Sequence, residues 1–516
     1  MTANAHSDPR QLVLPLLGGV AESQNGHAIP RAERVFVNRD LRMSSIDWVG
    51  FDMDYTLATY RQAEMDALSV ELTIERMIRR GYPAHLAKLS FDTRFPIRGL
   101  LVDKRYGHIL KMDRYKVVHR GYHGMRRLSR EEITELYHHK RIRPHTPRYH
   151  WIDTLFALSE VTSYAAIVEA MGRRKEPIDF DQLFADVRAA IDEAHADGAV
   201  YANVTGDLGR YLERDPELAR TLHKLRSAGK KLFILTNSPW VYTDQVMTHL
   251  LGDAMPEYPS WRHYFEFVIC SAQKPRWFQE GRPLMERDGD TLRNVRGSLE
   301  RGRVYEGGNL LEFERLVGIT GSSVLYVGDH IYGDILRSKK ESSWQTAMII
   351  QELDQEIAAH EACAVDFARQ RSIGEGRERL EDELRFLQAR YKELSRALGV
   401  PSSVAAANGP ISSGPDSRAA PSSFESLERQ RVKRALERVR AELRANEVEH
   451  ELLGERISQR FHPYWGSLLK EQAEMSSFGL QVDLYADVYT GRVSYLRAYS
   501  PQQYFRSPYD LMPHEL

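Results

Sequence analysis

The sequence predicts an α/β protein: a doubly wound parallel sheet forms the core, with an inserted, mainly helical domain and a C-terminal helical hairpin. Three observations predict it. Short, wholly apolar runs that read as buried strands alternate with helical segments. Four of these runs end at a polar motif, where active sites of such sheets lie. The first and second runs are separated by residues 61–225, far too long a stretch for a simple crossover.

Taken along the chain, residues 1–30 are small, polar and punctuated by Gly and Pro, and predict a segment without fixed structure. Ile46–Phe51 is a buried strand running into Asp52. Lys231–Leu235 runs into Thr236, Phe265–Cys270 stops short of Lys274, and Val324–Val327 leads to Asp329, with a further β-rich run at Thr346–Ile350. The core is therefore residues 31–60 and 226–375, and residues 61–225 form an inserted cap over the strand ends. Near the end of that insertion, Asp215 as N-cap, Pro216 in the first turn and Gly229 beyond the last turn delimit a helix.

Leu380, Leu384, Leu387, Tyr391, Leu394 and Leu398 recur at steps of four and three, and Val432, Leu436, Val439 and Leu443 repeat the spacing. Residues 376–460 thus predict two helices pairing as an antiparallel hairpin across a Ser/Ala/Pro/Gly-rich linker at 400–423. An ordinary helical subdomain explains the pattern better than an intermolecular coiled coil, though either could support self-association. Residues 461–516 are expected to pack on core and cap.

Composition narrows the functional classes. Lys+Arg total 71 against 72 Asp+Glu, a balance without the basic excess of a nucleic-acid or membrane-surface protein. Cys270 and Cys363 are the two cysteines, so no disulfide framework is implied. The apolar run Leu12–Val20 is broken by Pro15 and two glycines, and no stretch is long enough to span a bilayer. The expectation is a soluble, cytoplasmic protein.

Each polar motif taken alone has a bland explanation. Asp52 and Asp54 are a carboxylate pair of the kind that divides phosphoryl transfer, one attacking phosphorus and the other handling protons. Yet an isolated Asp-x-Asp is more often a chance surface pair. Thr236, Asn237 and Ser238 could grip phosphoryl oxygens, or merely cap a turn. A single Lys274 would ordinarily be solvated, and Gly328-Asp329 an ordinary strand-to-helix turn. Jointly, and in order at strand ends, they carry what phosphoryl transfer needs. Two like charges at 4 Å repel by about 4 kcal/mol at an effective dielectric near 20, so a phosphate dianion reaches Asp52 only with a cation present. Asp52, the Asp54 backbone carbonyl and Asp329 offer the hard oxygen ligands that suit Mg²⁺, and Lys274 supplies a fixed positive charge. Burial beside other carboxylates would keep Asp54 protonated for the leaving oxygen.

This ordered set resembles the haloacid dehalogenase superfamily, in which Asp334 is a further acidic residue that orients the metal shell or the lysine. Within it, Val35–Arg39, Gly50–Leu57, Gly328–Ile335 and Leu511–Glu515 look like the cytosolic purine 5′-nucleotidases that prefer IMP and GMP. The resemblance implies a Mg²⁺-dependent phosphohydrolase acting on purine nucleoside 5′-monophosphates, able to pass phosphate to a nucleoside instead of water, and assembled as a homo-oligomer. It also implies a base pocket. Phe156 would stack on the purine, while Arg188, Asp192 and His195 lie on one helical face. Without the resemblance, Arg188 and Asp192 would read as a surface ion pair. An Arg fork can donate to O6 and N7 of a 6-oxopurine but fits adenine poorly, so preference for IMP and GMP over AMP is expected.

The chain departs from the better-known members at three places. Asp153 and Ala157 stand where those members have asparagines, and Tyr201 replaces a lysine. Asp153 could accept the purine N1 proton and the guanine 2-amino group. Asp487 sits in a family-like stretch but is given no role. Asp288-Gly289-Asp290 lacks the spacing of a calcium loop and reads as a hairpin turn. Two other functions fit the sequence: the same chemistry on another phosphomonoester, because the cap sets specificity, or an idle scaffold that oligomerises through residues 376–455.

Overall fold

The structure, a computed structural model, describes residues 28–138, 142–295, 297–319, 321–398 and 423–508. Leu511–Glu515, nearly all of the 400–423 linker and most of the 1–30 segment lie outside the described residues. The chain forms two compact units, Met1–Ala358 with Ser467–Leu516, and Ala359–Gly466.

The first unit is built on a ten-stranded sheet. In spatial order its strands are Phe36–Val37, Val488–Thr490, Gln345–Ile349, Val324–Gly328, Trp48–Phe51, Lys231–Leu235, Phe267–Cys270, Arg303–Gly307, Leu284–Asp288 and Thr291–Asn294. The run from Val488–Thr490 to Arg303–Gly307 is parallel throughout, and antiparallel strands close both edges. Trp48–Phe51, Phe267–Cys270 and Val324–Gly328 are buried along their whole length, which explains why they read as continuous apolar runs rather than alternating ones. Close packing has a local requirement at Gly50. A Cβ there would come within 2.3 Å of the Phe233 ring, which stacks into the aromatic core with Trp48, Phe267, Phe313 and Trp344.

From Trp48–Phe51 the chain builds outward through Lys231–Leu235, Phe267–Cys270 and Arg303–Gly307, then returns to lay Val324–Gly328 on the opposite flank. The order therefore switches direction beside the central strand, where doubly wound sheets open a crevice at their carboxyl ends. Asp52 and Asp329 sit on either side of that switch. Asp288-Gly289-Asp290 turns a hairpin between Leu284–Asp288 and Thr291–Asn294, with Gly289 at φ +62°.

The helix that precedes Lys231–Leu235 is Pro216–Ser227, capped by the Asp215 side chain and followed by Gly229 in the left-handed region. The rest of the insertion is mainly helical and adds an element that the sequence reading did not include. It carries a five-stranded antiparallel sheet, ordered Arg126–Arg127, Val118–His123, His108–Met112, Leu100–Asp103 and Tyr149–Ile152. Helix Gln62–Arg79 packs on Leu158–Arg173 and Phe180–Ala196 beside it. The strands escaped notice because they bury polar residues: Asp103 is fully buried and bound by Tyr137 and Arg148, while Lys111 pairs with Glu471 at 2.8 Å. Asp487, left without a role above, is structural; it accepts from the Thr346 backbone N–H at 2.9 Å and pairs with Lys339, fixing the Val488–Thr490 strand.

The second unit is dominated by Ala364–Ala397 and Ser423–Phe461. Leu394, Leu436 and Val439 are buried between them, and the ion pairs Asp366–Arg456, Arg369–Glu449, Glu383–Arg438 and Arg390–Glu428 run in opposite chain directions, so the helices are antiparallel. No helix among the described residues is long and apolar enough to cross a membrane.

Candidate active site

The four strand ends deliver their motifs to one place. Carboxylate oxygens of Asp52, Asp329 and Asp334 all lie within 4.8 Å of one another. Asp52 follows Trp48–Phe51 directly, its N–H extending the ladder to the Val327 carbonyl at 2.9 Å. Asp334 reaches the cluster because Gly328 has no side chain: a Cβ there would stand 2.6 Å from that of Asp334. Lys274 Nζ joins them, 2.9 Å from Asp52 Oδ1, 2.7 Å from Asp334 Oδ1 and 2.9 Å from the Tyr326 hydroxyl.

Burial and mutual repulsion set the charges. Burial pushes Asp52 well above the usual carboxylate range, with Asp334, Asp329 and Asp54 adding to the rise against the pull of Lys274. Burial, then Asp334, raises Asp329 to about 7. For Lys274, burial works against the charge, but Asp334 and Asp52 outweigh it and hold the ammonium protonated. Asp329 Oδ2 is buried without a hydrogen-bond partner. A carboxylate oxygen left open, beside two more in a net acidic cluster, is the donor set a hard divalent cation takes.

Asp54 lies apart from that cluster. Its Oδ1 accepts from the Tyr60 hydroxyl and its Oδ2 from the Ser238 hydroxyl, both at 2.6 Å, and burial raises its pKa. Thr236 is fully buried and its hydroxyl accepts from the Ser238 N–H at 3.1 Å. Asn237 departs from the expectation that its amide grips phosphate. Its Oδ1 accepts from the Lys274 N–H at 2.6 Å and its Nδ2 donates to the Lys274 carbonyl at 3.0 Å, so the carboxamide is spent holding the lysine backbone.

The residues expected around the base come from the insertion. Phe156 presents a partly exposed ring 4.7 Å from Tyr55 and 6.3 Å from His195. The contacts continue from His195 to Tyr201 and from Tyr201 to Tyr242, whose hydroxyl meets that of Tyr60, and Tyr60 returns to Tyr55. Six rings thus form a closed chain of contacts that reaches Asp54 through the Tyr60 hydroxyl, three from the core and three from the insertion. Arg188 turns toward Glu160, with Nε 3.6 Å from Oε2. Asp192 is within electrostatic range of Glu160 and His195, whose titrations it shifts. Asp153 is not aimed at a base: its Oδ1 stands 3.5 Å from His330 Nε2, beside the acidic cluster.

Several contributors left no sequence signal. Tyr326 lies within an apolar strand and reads as core. Tyr60 and Tyr242 read as ordinary helix-flanking aromatics, and Arg98 belongs to no motif.

Comparison with known proteins shows the family. A family profile described as the 5′ nucleotidase family matches residues 35–516. A 5′-nucleotidase domain-containing protein of Dictyostelium discoideum is 28% identical over 93% of this chain and 74% of its own length. The rat and human proteins called 5′-nucleotidase domain-containing protein 2 are each 32% identical over 63% of this chain, and the matches span 60% and 64% of those proteins. Among solved structures, a predicted phosphoglycolate phosphatase from Haemophilus somnus overlaps 60% of this chain and 86% of its own at TM-score 0.27 and 13% identity, a likeness too slight to bear on activity.

Proposed function

The chain belongs to the 5′ nucleotidase family, and on that premise we propose that it hydrolyses purine nucleoside 5′-monophosphates, with IMP and GMP preferred. The observation that carries the reading is the Asp52–Lys274–Asp334 chain of contacts at 2.9 and 2.7 Å with Asp329 alongside. It joins a nucleophile, a fixed cation and two further carboxylates in one buried crevice.

The contacts support the following roles. Asp52 attacks phosphorus to form an aspartyl phosphate while the bond to the 5′ oxygen breaks. Asp54, whose pKa burial raises, is the acid that gives a proton to that oxygen. It then takes a proton from the water that cleaves the aspartyl phosphate, restoring both residues. Lys274 faces the charge on the transferring group, and Asn237 holds the lysine main chain in register. Thr236 and Ser238 order the loop beside Asp54. Asp52 and Asp329, supported by Asp334, would hold Mg²⁺, which when bound neutralises the repulsion between carboxylates and phosphate. Phe156 offers a face for the base, with Arg188, Asp192 and His195 beside it. A nucleoside entering in place of water would accept the phosphate.

Phosphate release from IMP, GMP, AMP and a sugar phosphate, with Mg²⁺ or with chelator, tests the reading. Wild type should release phosphate from IMP and GMP only with the metal, and Asp52→Asn should release none. Cleavage of sugar phosphates alone would move the substrate class, and no release at all would leave the scaffold reading.

A further inference from the structure

One run of chain holds Asp54 from both sides. Ser238, just past strand Lys231–Leu235, donates to Asp54 Oδ2. Tyr242, four residues further on in helix Trp240–Leu251, meets the Tyr60 hydroxyl at 2.8 Å, and Tyr60 donates to Asp54 Oδ1. Both contacts on the carboxyl are 2.6 Å, at the short end for a hydroxyl donor and the length expected of a charge-assisted bond.

The two tyrosine rings are themselves fixed. Tyr60 lies on the short strand Thr59–Tyr60, paired antiparallel with Leu212–Glu213, and its ring centre is 4.9 Å from that of Tyr55. The Tyr242 ring is 4.6 Å from that of Tyr201. Asp54, Tyr60, Ser238 and Tyr242 are all buried. Buried hydroxyls need partners, and two tyrosines in contact could satisfy each other; here the pair continues onto a carboxyl. The last torsion of an aspartate is broad and soft, so Ser238 alone would let that carboxyl pivot about one oxygen. With Tyr60 on the other oxygen its plane is set. Proton transfer depends on such alignment.

We propose that Tyr60, anchored by Tyr242, is a positioning residue that aims the Asp54 carboxyl at the leaving oxygen of the substrate. The inference rests on the phosphohydrolase reading and adds to it the group that orients the acid. As Asp52 bonds to phosphorus and the bond to the ester oxygen breaks, the Asp54 proton passes to that oxygen; Tyr60 gains and loses none. Its contribution is therefore felt only where the leaving oxygen needs a proton. A nucleoside 5′-alkoxide is strongly basic and needs one, whereas p-nitrophenolate departs without it.

Rapid-quench measurement of the first turnover of IMP and of p-nitrophenyl phosphate, both with Mg²⁺, tests it. Tyr60→Phe keeps the ring against Tyr55 and removes only the hydroxyl. Inosine release should slow by about 10- to 100-fold, and the ratio of the two rates, IMP over p-nitrophenyl phosphate, should fall by about 10-fold or more. A merely structural role would slow both substrates alike and keep the ratio, which overturns the proposal. If Tyr60→Phe does not fold, Tyr242→Phe leaves the Tyr60–Asp54 contact in place but unanchored, and should lower the same ratio by about 3-fold or more. A ratio unmoved in the folded variant overturns this inference alone; a wild type that releases neither inosine nor p-nitrophenolate overturns the parent reading as well.

Discussion

Arg98 Nη1 donates to the backbone carbonyl of Asp329 at 2.9 Å. The arginine belongs to the insertion, is fully enclosed, and is fixed by Glu352 through two contacts of 2.9 and 2.6 Å. The inserted segment therefore sets the main chain of a carboxylate in the acidic cluster. Substitution of Arg98 by Lys keeps a positive charge but loses the planar fork. Metal affinity should weaken by about 10-fold or more, read by calorimetric titration with Mg²⁺; unchanged affinity would show that the loop is set from elsewhere.

Asp52→Asn separates activity from stability. Turnover should fall by about 10³-fold or more because no aspartyl phosphate can form. Burial raises the Asp52 pKa, so its ionised form costs stability at neutral pH, and removing that charge relieves repulsion from Asp329 and Asp334. Lys274 keeps Asp334 at 2.7 Å. The melting temperature should equal or exceed that of wild type, and a clear drop would mean that the Asp52–Lys274 pair holds the site together.

Gly50→Ala tests the packing behind Asp52. The added Cβ would lie 2.3 Å from Phe233, whose ring is confined by four aromatic neighbours. A cost of about 1–3 kcal/mol is expected, measured as a lowered denaturation midpoint. A loss below about 0.5 kcal/mol would mean that the sheet relaxes there.

The parallel strands bearing the motifs were legible because burial on both faces writes them as unbroken apolar runs. Arg303–Gly307 and Val488–Thr490 were not, since one begins exposed and the other has only three residues of mixed burial. The five-stranded sheet was hidden by its buried ionic residues. In the site, Asp52, Lys274 and Asp329 could be grouped from sequence because strand ends converge by topology, whereas Asp334, inside the turn of helix at Ile331–Leu336, came only with the family resemblance. What a side chain turns toward is not written in its position: Asn237 serves the Lys274 backbone, and Asp153 faces His330. Arg98 acts through reach across the tertiary structure, which has no sequence signature.

The ammonium wedged between Asp52 and Asp334 has a consequence for how the protein is made. Three acidic side chains converging in a dry crevice would ordinarily need an ion before the chain could close around them. Here the polypeptide brings its own counter-charge, covalently attached and out of reach of any chelator. A preparation stripped of divalent ions should remain assembled and ready to be reloaded, its architecture independent of any ion the site takes up.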